Sequence, residues 1–196
     1  MNSSYALNYN EKQEIRNKTA KPMLYIAIGS MVMLFGGLTS AYVVRHAEGN
    51  WLKFEMPQAF YFSTALILLS SLFINMAVSA AKKDNFAGVQ RALGITFLLG
   101  LAFMICQFMG WSELTNQKVF FAGKDSNASG SFFYVLTGLH LAHLFGGMLY
   151  LLAVNIHALK KKYSAQNYLS LQLCATYWHF LDGLWIYLFF FLIFIS

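Results

Sequence analysis

Five runs of about twenty apolar residues, at roughly 23–45, 58–81, 92–112, 132–156 and 171–195, constrain this chain more than any other feature. Each is long enough to cross a bilayer, where no water is present to satisfy a backbone N–H or C=O, so each must be an α-helix. With 58% hydrophobic and 11% charged residues over 196 positions, the composition lies outside that of soluble globular domains. The sequence therefore predicts an all-α multipass membrane protein, a bundle of five transmembrane helices over 23–196, preceded by a polar segment at 1–22. That segment carries Glu11 and Glu14 among four basic residues. It has neither the layout of a secretory signal nor the acid-poor composition of a transit peptide, so the first span is expected to stay as an anchor.

Lysine and arginine set the orientation. Lys12, Arg16, Lys18, Lys21, Lys82, Lys83, Arg91, Lys160, Lys161 and Lys162 fall on one side; only Arg45, Lys53, Lys118 and Lys124 fall on the other. Ten against four predicts N-in, C-out, and accounts for the net charge of +6 without a nucleic-acid partner. Cys106 and Cys174 lie in separate apolar spans and read as small apolar fillers, suggesting neither a disulfide framework nor a metal site. The longest outward connection, roughly 113–131, is a polar Gly/Ser/Asn loop; the glycosylation pattern at Asn127 within it carries no weight.

Polar residues inside the spans are the candidate functional groups, because a charged side chain at a helix centre costs roughly 2.5–3.5 kcal/mol on insertion scales. "TGLHLAHLFGG" sets His140 and His143 three residues apart, on one face of the fourth span. In "ATYWHFLDGLWIYLFFFLIFIS", His179 and Asp182 have the same spacing, and Trp178, Asp182 and Trp185 form an i, i+4, i+7 stripe. At a rise of about 1.5 Å per residue, His143 and Asp182 fall near the membrane centre, with His140 about 6 Å outward and His179 about 6 Å inward. Three roles are open for these residues. His143 and His179 are a marginal haem clamp. Asp and His in a span also mark proton or ion handling. Alternatively they pin helices together, helped by small residues such as Gly36, Gly37, Ser40, Gly146 and Gly147. Zinc hydrolysis does not fit, since the histidine spacing is wrong and no third ligand is evident.

The stretch "TYWHFLDGLWIYLFF" closely resembles the last-helix motif of subunit III of haem–copper terminal oxidases, and "GSFFYVLTGLHLAHLFGG" resembles the helix before it. Weaker similarity continues through "CQFMGWSEL", which contains Gln107, and "IGSMVMLFGGLTSAYVVR". The chain looks like the short, five-helix bacterial form of that subunit, whose long form has seven helices. Two departures stand out. Met31 and Gly110 occupy the places of two membrane glutamates usual in the family, the first of them its carbodiimide-reactive carboxyl. Glu113, three residues beyond Gly110, is expected to face water or a neighbouring chain.

The resemblance implies an accessory subunit without a cofactor, metal or catalytic residue of its own. It would pack against catalytic subunit I, which carries the haems and copper, and against the other oxidase subunits and membrane lipids, with bound phospholipid. It would help sustain proton uptake and shape oxygen access, in a bacterial cytoplasmic (inner) membrane and within a larger respiratory supercomplex if one forms. The motif residues Gln107, His140, His143, Trp178, His179, Asp182 and Trp185 are then structural, lipid-related or proton-related. Asp182 is expected to be a buried packing group, hydrogen-bonded to a partner such as His143 or His179. A quinol oxidase, a nitric-oxide reductase and an independent transporter using His143 and Asp182 are the alternatives.

Overall fold

The computed structural model describes residues 9–49, 51–52, 54–123, 126–160, 163 and 168–195, with side chains from Ile15 onward except Arg16 and Asn17. Lys53, Lys124, Lys161 and Lys162, and the side chains of Lys12 and Arg16, all used for the orientation, lie outside the described residues. Among the described residues there are five helices and no strand: α1 (Tyr9–Ala47), α2 (Gln58–Lys82), α3 (Phe86–Asn116), α4 (Ala128–Leu159) and α5 (Leu169–Ile195). All five are long and apolar enough to cross a membrane.

The helices overrun the apolar runs, because hydropathy marks the greasy part of a helix and capping marks its end. Helix α1 begins in the polar segment, whose Glu, Lys, Gln and Arg are good helix formers, and it continues through Pro22. Its stretch apolar enough to cross is Lys18–Ala47. Asn85 starts α3 by accepting a hydrogen bond from the Gly88 N–H at 3.0 Å. Asn127 starts α4 in the same way, accepting from the Ser129 N–H at 3.2 Å. The outward loop is thus shorter than the expected 113–131, and Asn127 is a helix cap. Asp84 makes the tight α2–α3 turn with φ 52°, a left-handed conformation that aspartate tolerates.

Helices α2, α3, α4 and α5 form a closed ring in which each touches the next, while among the described helices α1 lies outside it and touches α4 and α5. Large buried side chains fill the ring, among them Phe60, Ile67, Phe103, Leu136, Trp178 and Trp185. Two glycines make room for them. A Cβ on Gly100 would come within 2.6 Å of Met148 Sδ and 2.9 Å of Trp178 Cη2, and one on Gly110 within 2.6 Å of Phe60 Cζ. Helix α1 seats a single stripe, Met31, Phe35, Thr39 and Tyr42, with Tyr42 making edge contacts to Trp51, Phe132 and Phe191.

Candidate functional site

The polar chemistry of the bundle gathers along one face of α2. Ser63 and Thr64 recur two helical turns later as Ser70 and Ser71, a seven-residue spacing that keeps both pairs on nearly the same face. Trp178 and Trp185 on α5 have the same spacing, and the two sets meet. Trp178 Nε1 donates to Ser70 Oγ at 2.9 Å, and Trp185 Nε1 donates to Thr64 Oγ1 at 2.9 Å. From α3, Gln107 Nε2 donates to Ser63 Oγ at 3.0 Å. His179 completes the series, with Nδ1 2.6 Å from Ser71 Oγ and Nε2 2.9 Å from Asn75 Oδ1.

The hydroxyls accept because their own hydrogens are already used. Ser63 and Thr64 donate back to the Phe60 carbonyl at 2.9 and 2.8 Å, and Ser70 donates to the Ile67 carbonyl at 2.7 Å. Such back-bonding leaves only lone pairs, and an indole, which can only donate, is their complement. Ser71 differs: among the described residues its hydroxyl has no bond back into α2, and its hydrogen is available to His179.

Asp182 does not make the expected bond to His143 or His179. It is 3% exposed, yet neither carboxyl oxygen has a hydrogen-bond partner among the described residues. Ser71 is the polar side chain beside it. The two histidines are occupied elsewhere and on opposite sides. His179 turns to α2, whereas His143 Nδ1 bonds the Leu139 carbonyl of its own helix at 2.7 Å and its ring packs edge-on against Phe35 of α1. A haem clamp between them, and a transport site joining His143 to Asp182, therefore have no geometric support. His140 is fully buried between Phe103 and Trp185, and neither ring nitrogen has a partner among the described residues. Gln107 Oε1 is a further buried acceptor without a partner among the described residues.

The inward stripe of Trp178, Asp182 and Trp185 is buried as the spacing predicts. The small residues are another matter. A Cβ on Gly147 would stand 3.1 Å from Leu181 and Tyr177, so this glycine does permit close approach; Gly36, Gly37 and Gly146 have nothing within 4 Å, and Ser40 is exposed. Met31 points inward at 7% exposure, Glu113 is exposed, and the Phe60 ring takes the space beside Gly110 that a glutamate would need. Cys174 is buried and Cys106 half-buried, both as free thiols. Among the described residues no group of three or more His, Cys, Asp or Glu could hold a metal ion. Sequence reasoning missed the α2 hydroxyls, although their seven-residue repeat, matched by the tryptophans, was the signal available.

The family model for cytochrome c oxidase subunit III matches residues 52–196. The chain belongs to that family. Among its relatives, the probable cytochrome c oxidase subunit 3 of Nocardia farcinica is 32% identical, over 84% of this chain and 82% of its own length. The cytochrome c oxidase subunit 3 of Thermostichus vulcanus is 30% identical over 85% and 82%, and that of Bacillus sp. strain PS3 is 29% identical over 84% and 80%. This subunit III chain is thus an accessory component of a haem–copper oxidase, and the transporter and nitric-oxide reductase alternatives are not favoured. The polar seam, with the ring contacts Phe60–Trp185 and Tyr61–Phe189, joins its last helix to its second.

Proposed function

We propose that this chain is the cofactor-free subunit III of a cytochrome c oxidase in a bacterial cytoplasmic membrane, bracing the catalytic haem–copper subunit and supporting proton uptake and oxygen access. Family membership carries the proposal, together with a site in which Gln107, Trp178, His179 and Trp185 are bonded across helices to the hydroxyls of α2. The relatives in Nocardia, Thermostichus and Bacillus bear the cytochrome c oxidase name, which favours cytochrome c over quinol as donor. An apolar cavity of about 280 Å³ between α1 and α5, lined by Val32, Phe35, Gly36, Leu184 and Tyr187, suits an acyl chain and favours bound phospholipid.

The test is purification through a tag on this chain in mild detergent, followed by a reduced-minus-oxidised spectrum and identification of the co-purifying chains. Haem signals arriving with a large haem–copper subunit, and lost when this chain is stripped away, are the expected result. Oxygen consumption driven by reduced cytochrome c and not by quinol completes it. A colourless chain that purifies alone would overturn the proposal.

A further inference from the structure

A groove of about 280 Å³ runs down the α2–α3 hairpin, separate from the cavity between α1 and α5. It is lined on α2 by Phe73, Met76 and Ala80, and on α3 and its cap by Ile95, Arg91 and Asn85. Polarity is graded along it. Phe73 lies nine residues before the end of α2 and Ile95 nine residues after the start of α3, so both stand about 13.5 Å from the turn. That is close to half the roughly 30 Å hydrocarbon core of a bilayer, the depth of one leaflet. The apolar end therefore reaches the membrane interior, and the polar end, with Asn85 and Arg91, meets the headgroups.

The polar end belongs to the Lys/Arg-rich side of the bundle, the side that charge bias sets against the cytoplasmic leaflet. Residues 82–91 supply Lys82, Lys83 and Arg91 against one acid, Asp84. Arg91 is exposed, and among the described residues no hydrogen bond or ion pair engages its guanidinium. Its neighbour Gln90 turns the other way and donates to the Ala158 carbonyl of α4 at 3.0 Å. Arg91 stands about 7.5 Å along α3, and its aliphatic stem lets the charged head snorkel back toward the turn. Asn85 accepts the Gly88 N–H on Oδ1 at 3.0 Å, which leaves its amide hydrogens for a ligand. Gly88 keeps this mouth open, since a Cβ there would stand 2.9 Å from Asn85 Nδ2 and 3.1 Å from Ala80 Cβ.

Two hydrogen-bond donors above an apolar slot one leaflet deep match a phosphate diester joined to an acyl chain. Guanidinium is suited to the phosphate because its planar fork can hold two oxygens at once. A small anion would leave the slot empty, and a hydrocarbon tail alone would leave the guanidinium unmatched. The lining also discriminates between headgroups: its described residues include no Asp or Glu to receive the ammonium of a zwitterionic lipid. Basic pockets between transmembrane helices on the cytoplasmic side select anionic headgroups in this way.

We propose that the α2–α3 groove binds an anionic phospholipid of the cytoplasmic leaflet. Arg91 and Asn85 hold its phosphate, and one acyl chain lies along Phe73, Met76 and Ile95. Lys82 and Lys83 draw anionic lipid to this end of the hairpin from outside the groove.

Native mass spectrometry of the complex purified through this chain, stripped of lipid and titrated with phosphatidylglycerol or phosphatidylcholine, tests the site. Wild type is expected to bind phosphatidylglycerol more tightly, and Arg91→Gln to weaken it by about fivefold while leaving phosphatidylcholine unchanged. Met76→Trp, which fills the groove, is expected to weaken both lipids. Arg45→Gln, at the other membrane face, is expected to weaken neither. No loss from Arg91→Gln, an equal loss for the two lipids, or an equal loss from Arg45→Gln would overturn the site. In the unstripped complex, the photoreactive variant Met76→p-benzoylphenylalanine is expected to cross-link phospholipid. A cross-link to another protein chain in its place would make the groove a subunit contact and overturn the proposal.

Discussion

Helices α1 and α5 are almost equally apolar, with mean hydropathies of 1.7 and 1.8 in their most apolar windows, yet 22% of the α1 window is buried inside the chain and 44% of the α5 window. Helix α5 is locked into a ring by indole, imidazole and aromatic contacts, while α1 leans on α4 and α5 by one stripe and shows the rest of its circumference. Hydropathy therefore reports the solvent a helix tolerates and says little about what it packs against. In a bilayer, helix association gains little from hiding apolar side chains and draws on close fit and interhelical hydrogen bonds. Helix α5 has both, and α1 has mainly the fit of Phe35 and Tyr42.

Substitutions sharpen that contrast. The largest effect is expected for Gly110→Glu, which would force a carboxylate into the Phe60 ring and cost about 3 kcal/mol or more. Little assembled complex should be recovered, and Phe60→Ala in the same chain should restore part of the yield. Gly100→Leu, driven into Met148 and Trp178, is expected to cost about 2–3 kcal/mol, measured as a shift in detergent-induced unfolding followed by circular dichroism. Its counterpart Gly37→Leu on the open face of α1 should stay within about 0.5 kcal/mol when the isolated chain is measured. Equal losses from the two would erase the distinction between ring and flank. Trp178→Phe removes one indole donor from Ser70 and should cost about 1 kcal/mol in the same unfolding assay. Tyr187→Phe is expected to cost about 0.6 kcal/mol, the smaller of the two hydrogen-bond losses, because it breaks only the bond from Tyr187 to Thr39 that ties α5 to the loosely held α1.

Much of the fold is legible in the sequence because the bilayer leaves so few choices. Apolar runs give five helices, and the spacing of Trp178, Asp182 and Trp185 gives the buried face of α5. Partner choice is not legible in the same way. Asp182 has suitable histidines nearby in sequence and depth, but the ring order places α2 beside α5 and turns His143 toward α1. Ser71, more than a hundred residues before His179, then takes its Nδ1. The hydroxyls of α2 are quiet in sequence because serine and threonine satisfy themselves within a helix. Gly36 and Gly37 mislead for the opposite reason: small residues allow close approach without requiring it, and at these two positions no described residue comes within 4 Å of the place of a Cβ. At Gly110 the Phe60 ring fills the space that an acidic side chain there would need.

The back-bonded hydroxyls of α2 have a consequence for biosynthesis. Helix α2 leaves the ribosome long before α5, and the Trp178–Ser70 and Trp185–Thr64 bonds join residues 108 and 121 positions apart. During that delay Ser63, Thr64 and Ser70 expose no unpaired hydrogen to lipid, so α2 can wait in the membrane at little cost. When the last helix is inserted, the waiting lone pairs of Thr64 and Ser70, six residues apart, receive indoles seven residues apart on a helix running the other way. A slip of α5 by one turn would misalign both tryptophan bonds together, so the pair favours a single depth for the final helix.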